Sequence, residues 1–462
     1  MRFRILRIEL RRSVALSAAV LIAAIGVFVL FTSNPPYYSW MQLVVTQRDI
    51  LQLTWPLALA AGAWQGIRER RSRIEELVGT TPRPRWQRVL PIATAMAIAA
   101  LVTYLATLAG ATGHLRRIDG YFPAGALPLI ALGVLALVAA AWLGLAIGAL
   151  LPSPLTAPML FVAGFLALAL LPPIVFNDER GRPGASLLFP ALQGPHDGDV
   201  AIQTLSTRAN LTQALWLAAV AVAGLVLLAA ARRRTRIAAV VPVVLGALIA
   251  VPAMPDRIAD AWVEDRRATQ VVCTQDEPRI CTEKALSHVL DDMREPARRA
   301  LAILAAKLPP APTRVLVERA DKQHAADRRS PDTLVVVIGI DDLTLPTADA
   351  LLGSLLDGAG VPWCENMLGS DEPGPGGKAA NPASRYLAAR SAVTAWLLDR
   401  DPQPVPGLEG RDWERDMALA RETLKALRAL PADEQRARVS AFRDAERTCA
   451  DVDRLELLSG AG

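Results

Sequence analysis

Seven apolar runs divide the first half of the chain: Ser13–Phe31, Ile50–Gly66, Val89–Ala111, Ala124–Leu151, Ala157–Phe176, Leu211–Ala231 and Ile237–Met254. Each is about long enough to cross ~30 Å of hydrocarbon as a helix, the second and seventh being the shortest. Small residues recur within them, as Ala61–Gly62, Ala109–Gly110 and the spaced pair Gly144 and Gly148. That pattern predicts close helix packing rather than a pore lining. Past Pro255 the pattern changes to short amphipathic stretches. Helices are expected near Glu283–Lys307, with a bend at Pro296, and at Thr347–Leu356, Pro382–Leu398, Trp413–Leu427 and Ala432–Thr448. The β-branched runs Arg314–Val317 and Thr333–Ile340 read as strands, and Gly369–Pro382 as a flexible loop. The predicted fold is an α-helical membrane bundle of about seven transmembrane helices, residues 1–254, followed by a soluble α+β domain, residues 255–462. A domain of roughly 200 residues can bury its own core.

Charge sharpens that division. Residues 1–254 hold 22 Arg, no Lys and 10 acidic residues, whereas residues 255–462 hold 28 basic and 35 acidic ones. The formal net charge of +5 is therefore an average over unlike halves and does not point to nucleic acid. Arginine is also unevenly placed among the loops. The N-terminus (MRFRILRIELRR, read as a short interfacial helix), loop 67–88 and loop 232–236 carry five, seven and four. The alternate loops 32–49, 112–123 and 177–210 carry one, two and three. Arginine-rich loops stay on the cytoplasmic side, which predicts a cytoplasmic N-terminus and, after seven crossings, an extracytoplasmic C-terminal domain.

All four cysteines, Cys273, Cys281, Cys364 and Cys449, fall in that second domain. An even number confined to a polar domain fits disulfides in an oxidising compartment and agrees with the charge-based topology. Three connectivities are possible. Cys273 and Cys281 enclose a short loop containing Pro278, so Cys273–Cys281 with Cys364–Cys449 is favoured over the two crossed pairings.

Loop 67–88 reads IRERRSRIEELVGTTPRPRWQR. Ile67, Ile74, Leu77 and Val78 recur at helical spacing, so its first half is an amphipathic helix with a charged polar face. Gly79 is a natural stop, and Pro82 and Pro84 prevent continuation. Arginines alone would suit anionic lipid, but Glu69, Glu75 and Glu76 weaken such binding and favour docking to a protein.

Catalytic signatures are missing. The nearest match to a phosphate-binding loop, at Gly374–Lys378, lacks its first glycine and its final Ser or Thr. His114, His196, His288 and His324 are scattered, and the acidic pairs Asp291–Asp292 and Asp341–Asp342 read as solvated surface. The apolar runs hold no Asp, Glu, Lys, Arg or His in their interiors, which argues against proton- or ion-coupled carriage. We therefore expect no catalytic residue, metal site or cofactor in this chain.

The stretches Arg7–Ser13 (RIELRRS) and Arg68–Val89 (RERRSRIEELVGTTPRPRWQRV) resemble permease subunits of type-2 ABC exporters. The similarity is greatest to those of high-GC Gram-positive bacteria that append an extracytoplasmic domain. The resemblance implies that the 67–80 helix couples to a separate cytosolic ATP-binding subunit, which holds the ATP. Arg68, Glu69, Arg70, Arg71, Glu75 and Glu76 would be the docking residues, and Thr81–Trp86 would turn the chain back to the bilayer. It also implies a dimer of permease subunits in the bacterial plasma membrane, moving a lipid-like, peptide or drug substrate. A seventh span and the large second domain depart from that family's six-span pattern. The rival from another class is a non-transporting receptor or scaffold whose ectodomain binds an extracellular ligand.

Overall fold

The computed structural model describes residues 14–33, 39–71, 85–113, 121–176, 183–192, 200–230, 232–319, 330–338, 347–364, 382–403 and 413–460. The chain divides into two compact units, Met1–Ala268 and Thr269–Gly462. The N-terminal segment 1–12, most of the 67–80 stretch and residues 369–381 of the expected 369–382 loop lie outside the described residues.

The first unit is helical. Helices occupy all seven apolar runs: α1 Val14–Ser33, α3 Leu51–Arg71, α4 Arg85–Thr112, α5 Ala126–Leu150, α6 Thr156–Val175, α7 Thr207–Ala229, and the pair α8 Arg233–Ala238 and α9 Val240–Ala253. Among the described residues, five are long and apolar enough to cross a membrane: α4, α5, α6, α7 and the combined α8–α9 run. The apolar part of α1 is shorter, at Leu16–Thr32, and α3 carries buried Thr54 and Gln65. An additional helix, α2 Trp40–Asp49, lies in the loop expected between the first two runs.

α5 is the centre of the unit, packed against α3, α4, α6 and α7. The α3–α5 seam explains why. Gly62 and Gly66 of α3 lie on the backbone of α5 at Ala141, Leu145 and Ala149, while Gly144 and Gly148 of α5 lie on the backbone of α3 at Leu59 and Ala63. Two glycine pairs, each spaced one turn apart, thus interlock and let the helices meet backbone to backbone. By contrast α6 and α9 expose apolar side chains along their length, including Met159, Val162, Leu166 and Ile174 on one and Val241, Val244, Leu248 and Ile249 on the other. Contiguous apolar faces of this size require a nonaqueous neighbour.

The first unit runs past the composition break at Pro255. Strand β2, Trp262–Glu264, pairs antiparallel with β1, Gln203–Leu205, and Trp262 joins the apolar cluster of Met41, Val44, Leu187 and Leu205. The first compact unit extends to Ala268.

The second unit has a four-stranded mixed sheet in sequential order: β3 Val271–Cys273, β4 Arg279–Glu283, β5 Arg314–Arg319 and β6 Thr333–Ile338. β3 and β4 are antiparallel, and β4, β5 and β6 are parallel. The parallel β4–β5 step needs a crossover, supplied by α10, Leu290–Lys307. Met293, Ala297, Ala300 and Leu304 form its buried stripe. Pro296 sits within α10 without ending it, and the expected first turns are instead a 3-10 segment, Lys284–Val289. Helices α11 Ala348–Leu356, α12 Pro382–Leu398, α13 Trp413–Arg428, α14 Ala432–Thr448 and α15 Arg454–Ser459 complete the unit. Cys273 is bonded to Cys281 across the β3–β4 pair, and Cys364 to Cys449 at the end of α14.

Candidate functional site

The docking residues read from the sequence fall at the end of α3 and beyond it. Arg68 is exposed in the last turns of α3, and Glu69, Arg70 and Arg71 complete that helix, whereas Glu75 and Glu76 lie outside the described residues. The chain resumes as α4 at Arg85, so the charged stretch connects two helices that both pack on α5.

A second cluster of polar groups lies at the opposite end of α3, within the helical unit. It begins with α2, whose N-terminus is capped by Ser39, the hydroxyl accepting from the Gln42 amide at 3.1 Å. Met41, Leu43, Val44 and Val45 pack inward, and the last turn carries Gln47 and Arg48, also buried. The Arg48 side chain is wholly enclosed. Its Nη1 donates to the Leu129 carbonyl at 3.2 Å, and Nε and Nη2 donate to the Pro190 carbonyl at 3.3 and 3.0 Å. Arg48 has no carboxylate within ion-pair distance among the described residues; its neighbour Asp49 points outward. Burial pulls the Arg48 guanidinium down to about 10, which still leaves it charged at neutral pH.

Leu129 belongs to α5, but the Pro190 carbonyl comes from an irregular segment, residues 183–192, that opens with the 3-10 turn Pro183–Leu188 and is packed into the bundle. Its backbone cannot satisfy itself, so side chains must. Gln213 of α7 donates through Nε2 to the Leu187 and Phe189 carbonyls at 2.5 and 3.2 Å, and Arg48 takes Pro190. Gln47 in turn donates to the Tyr104 carbonyl at 2.7 Å. The ring of Tyr104 lies against Gly133 of α5, one turn beyond Leu129, in a space that any Cβ would fill. Among the described residues, three buried polar atoms on these side chains have no hydrogen-bond partner: Gln47 Oε1, Tyr104 Oη and Gln213 Oε1.

The second unit contains a contrasting node in which every charge is matched. Arg390 of α12 donates to the Asp357 carboxylate at 3.1 and 2.8 Å, to the Val361 carbonyl at 2.8 Å and to the Glu446 carboxylate. Tyr386 donates to the same Glu446 oxygen at 2.8 Å and accepts from the Cys364 amide at 2.9 Å. Arg454 meets the other Glu446 oxygen at 2.7 Å and caps three carbonyls with its remaining hydrogens. Trp363 donates to Asp357 at 2.6 Å. Two arginines thus face two carboxylates with nothing left over to act on a substrate. The node ties α12, α14 and α15 together beside the Cys364–Cys449 bond. It is a structural lock.

Neither node was singled out by the sequence. Arg48 stands alone in a short loop, and its acceptors lie 81 and 142 residues away. No family model, curated protein or solved structure matches the chain.

Proposed function

We propose that the chain is the membrane subunit of an ATP-driven exporter, its 67–80 segment receiving force from a separate cytosolic ATP-binding subunit. The observation that carries this reading is mechanical. The charged stretch leaves α3, and α3 is interlocked with α5 through Gly62, Gly66, Gly144 and Gly148, backbone against backbone. Side chains with flexible tips would absorb a push, whereas backbones in contact transmit it. Displacement applied at Arg68–Glu76 therefore passes into α5, which packs in turn against α4, α6 and α7. The exposed apolar faces of α6 and α9 and the long apolar helices support a membrane setting. The bonded cysteines support an extracytoplasmic position for the second unit, with the N-terminus in the cytosol and seven crossings between. The working assembly is a dimer of this chain with two ATPase subunits, and ATP stays on the partner.

Two experiments test the reading. Tagged protein is purified with its associated proteins, and the Arg70→Glu plus Glu76→Arg variant is compared. The expected result is a co-purifying ATP-binding subunit that the variant loses; a wild-type preparation without any such subunit overturns the proposal. In intact cells treated with a reductant, an impermeant thiol reagent is expected to label Cys364 or Cys449. Labelling that appears only after lysis puts the second unit inside and removes the topology.

A further inference from the structure

We propose that Arg48, Tyr104 and Gln47 form a binding site for the acidic headgroup of an amphiphile, at the end of the bundle that the orientation above places outward. Arg48 is a buried cation held only by carbonyl dipoles, those of Leu129 and Pro190. The Leu129 carbonyl that it holds lies one turn along α5 from Gly133, against which the Tyr104 ring and hydroxyl are packed. A structural arginine serving only to tie down the 183–192 segment would explain those hydrogen bonds. It would not explain why Tyr104 Oη and Gln47 Oε1, both enclosed, are left without partners. An unpaired buried hydroxyl costs ~1–3 kcal/mol, and phenylalanine would fill the same space without that cost. A phosphate or carboxylate accepts from both a guanidinium and a phenol, and its remaining hydroxyl or amine-bearing substituents can donate to Gln47 Oε1. One headgroup thus satisfies all three.

The surroundings choose an amphiphile over a soluble anion. Tyr104 is packed among Ile22, Leu51, Leu59, Leu132 and Leu137, and its neighbours on α4, Leu101 and Leu105, are exposed on the apolar outside of the helix. A headgroup at Arg48 therefore lies one helix away from the hydrocarbon where its tail would rest. In this structure the Pro190 carbonyl occupies the headgroup position, so entry requires the 183–192 segment to withdraw and exchange its carbonyl for the ligand's oxygen. Calling the ligand a transported substrate rests on the export reading; its binding does not.

The test uses the full chain purified in neutral dodecyl maltoside and titrated with dodecyl phosphate, with inorganic phosphate as a parallel arm. Bound ligand is counted by native mass spectrometry. Dodecyl phosphate is expected to bind saturably and inorganic phosphate not at all. Tyr104→Phe should weaken binding about 3- to 10-fold while leaving the thermal midpoint unchanged or higher, which a purely structural hydroxyl would not do. Arg48→Lys keeps the charge but loses the fork and should weaken binding roughly 10-fold. Equal binding by wild type and Tyr104→Phe, or equal binding of both phosphates, overturns the proposal. Loss of the ATPase from the co-purification with dodecyl phosphate binding intact would sink the export reading and leave this site standing.

Discussion

Glu446 is where the buried charges of the second unit converge, and replacing it with glutamine tests whether that node holds the unit together. Its two oxygens serve different partners, one Arg454 and the other Arg390 and Tyr386. Glutamine keeps one acceptor and presents an NH2 group to whichever partners lose the other. Arg390 retains Asp357, but Arg454 is left with the carbonyls of Ala445, Ala450 and Val452 alone. Side-chain exposures of 1% for Arg390 and 0% for Glu446 and Arg454 leave no water to compensate. Breaking a buried pair by removing one partner costs about 3–5 kcal/mol, against a total of roughly 5–15 kcal/mol for a domain. At 1.36 kcal/mol per decade, hydrogen exchange of α12 and α14 amides in the full chain should accelerate by roughly two to three and a half decades. Arg298→Ala is the control. Its pair with Glu295 spans 3.1 Å with the two side chains 61% and 65% exposed, and such pairs contribute no more than ~1 kcal/mol. If Glu446→Gln accelerates exchange no more than Arg298→Ala does, the node is not what stabilises the unit.

Removing the Cys364–Cys449 bond by paired alanines should cost about 4–5 kcal/mol in denaturant unfolding, from the loop entropy of a separation of 85 residues. The Cys273–Cys281 pair, separated by 8 residues, should cost only about 2–3 kcal/mol; equal losses would refute the ordering. Gly148→Leu forces a side chain into the Ala63 backbone and should destabilise the detergent-solubilised protein by the cost of overpacking, about 1–3 kcal/mol or more, read as a lower aggregation midpoint. Gly113→Ala, where the nearest atom is the Gly110 carbonyl at 3.7 Å, should leave that midpoint unchanged. Burial pushes the Tyr386 phenol from 10.0 up to about 12, so its proton is held more tightly folded than unfolded. The resulting stability is complete below pH ~10 and is lost as pH rises toward 12, an alkaline loss of roughly 2–3 kcal/mol that Tyr386→Phe should remove. Unfolding followed between pH 9 and 12 reads it, and identical pH profiles would count against it.

Where a single physical signal dominated, the chain was legible. The seven apolar runs became helices because length and hydropathy suffice to specify them, and α12 begins at Pro382 because proline is suited to a first helical turn. Amphipathic spacing placed α11, with Leu351, Leu352, Leu355 and Leu356 buried. The pattern failed where burial involves polar groups. α2 was hidden because Gln42, Gln47 and Arg48 dilute its apolar residues. Strand β2 is three residues long and is specified by pairing with β1 rather than by its own pattern. A signal for the second unit's lock was nevertheless present. Arg390 follows Tyr386 by one turn on the buried face of α12, and Glu446 follows Val439 and Phe442 on that of α14. A charge in register with an apolar stripe marks a buried ion whose partner lies elsewhere in the chain.

The same reasoning separates the two nodes by what each leaves unfinished. In the second unit two cations meet two anions, and Gly358, at φ +57 beside the Arg390 guanidinium, gives up its Cβ so that the fit can close. A side chain there would both strain the backbone and strike the guanidinium, so the lock admits no looser version. At the helical unit's node Gly133 makes a comparable concession to Tyr104, yet the hydroxyl admitted by that concession finds no partner. A fold that removes a side chain to seat a tyrosine leaves its oxygen unsatisfied one turn from the carbonyl that a buried cation holds; in the proposed bound state a ligand oxygen takes the place of the Pro190 carbonyl on Arg48 and accepts from that hydroxyl as well.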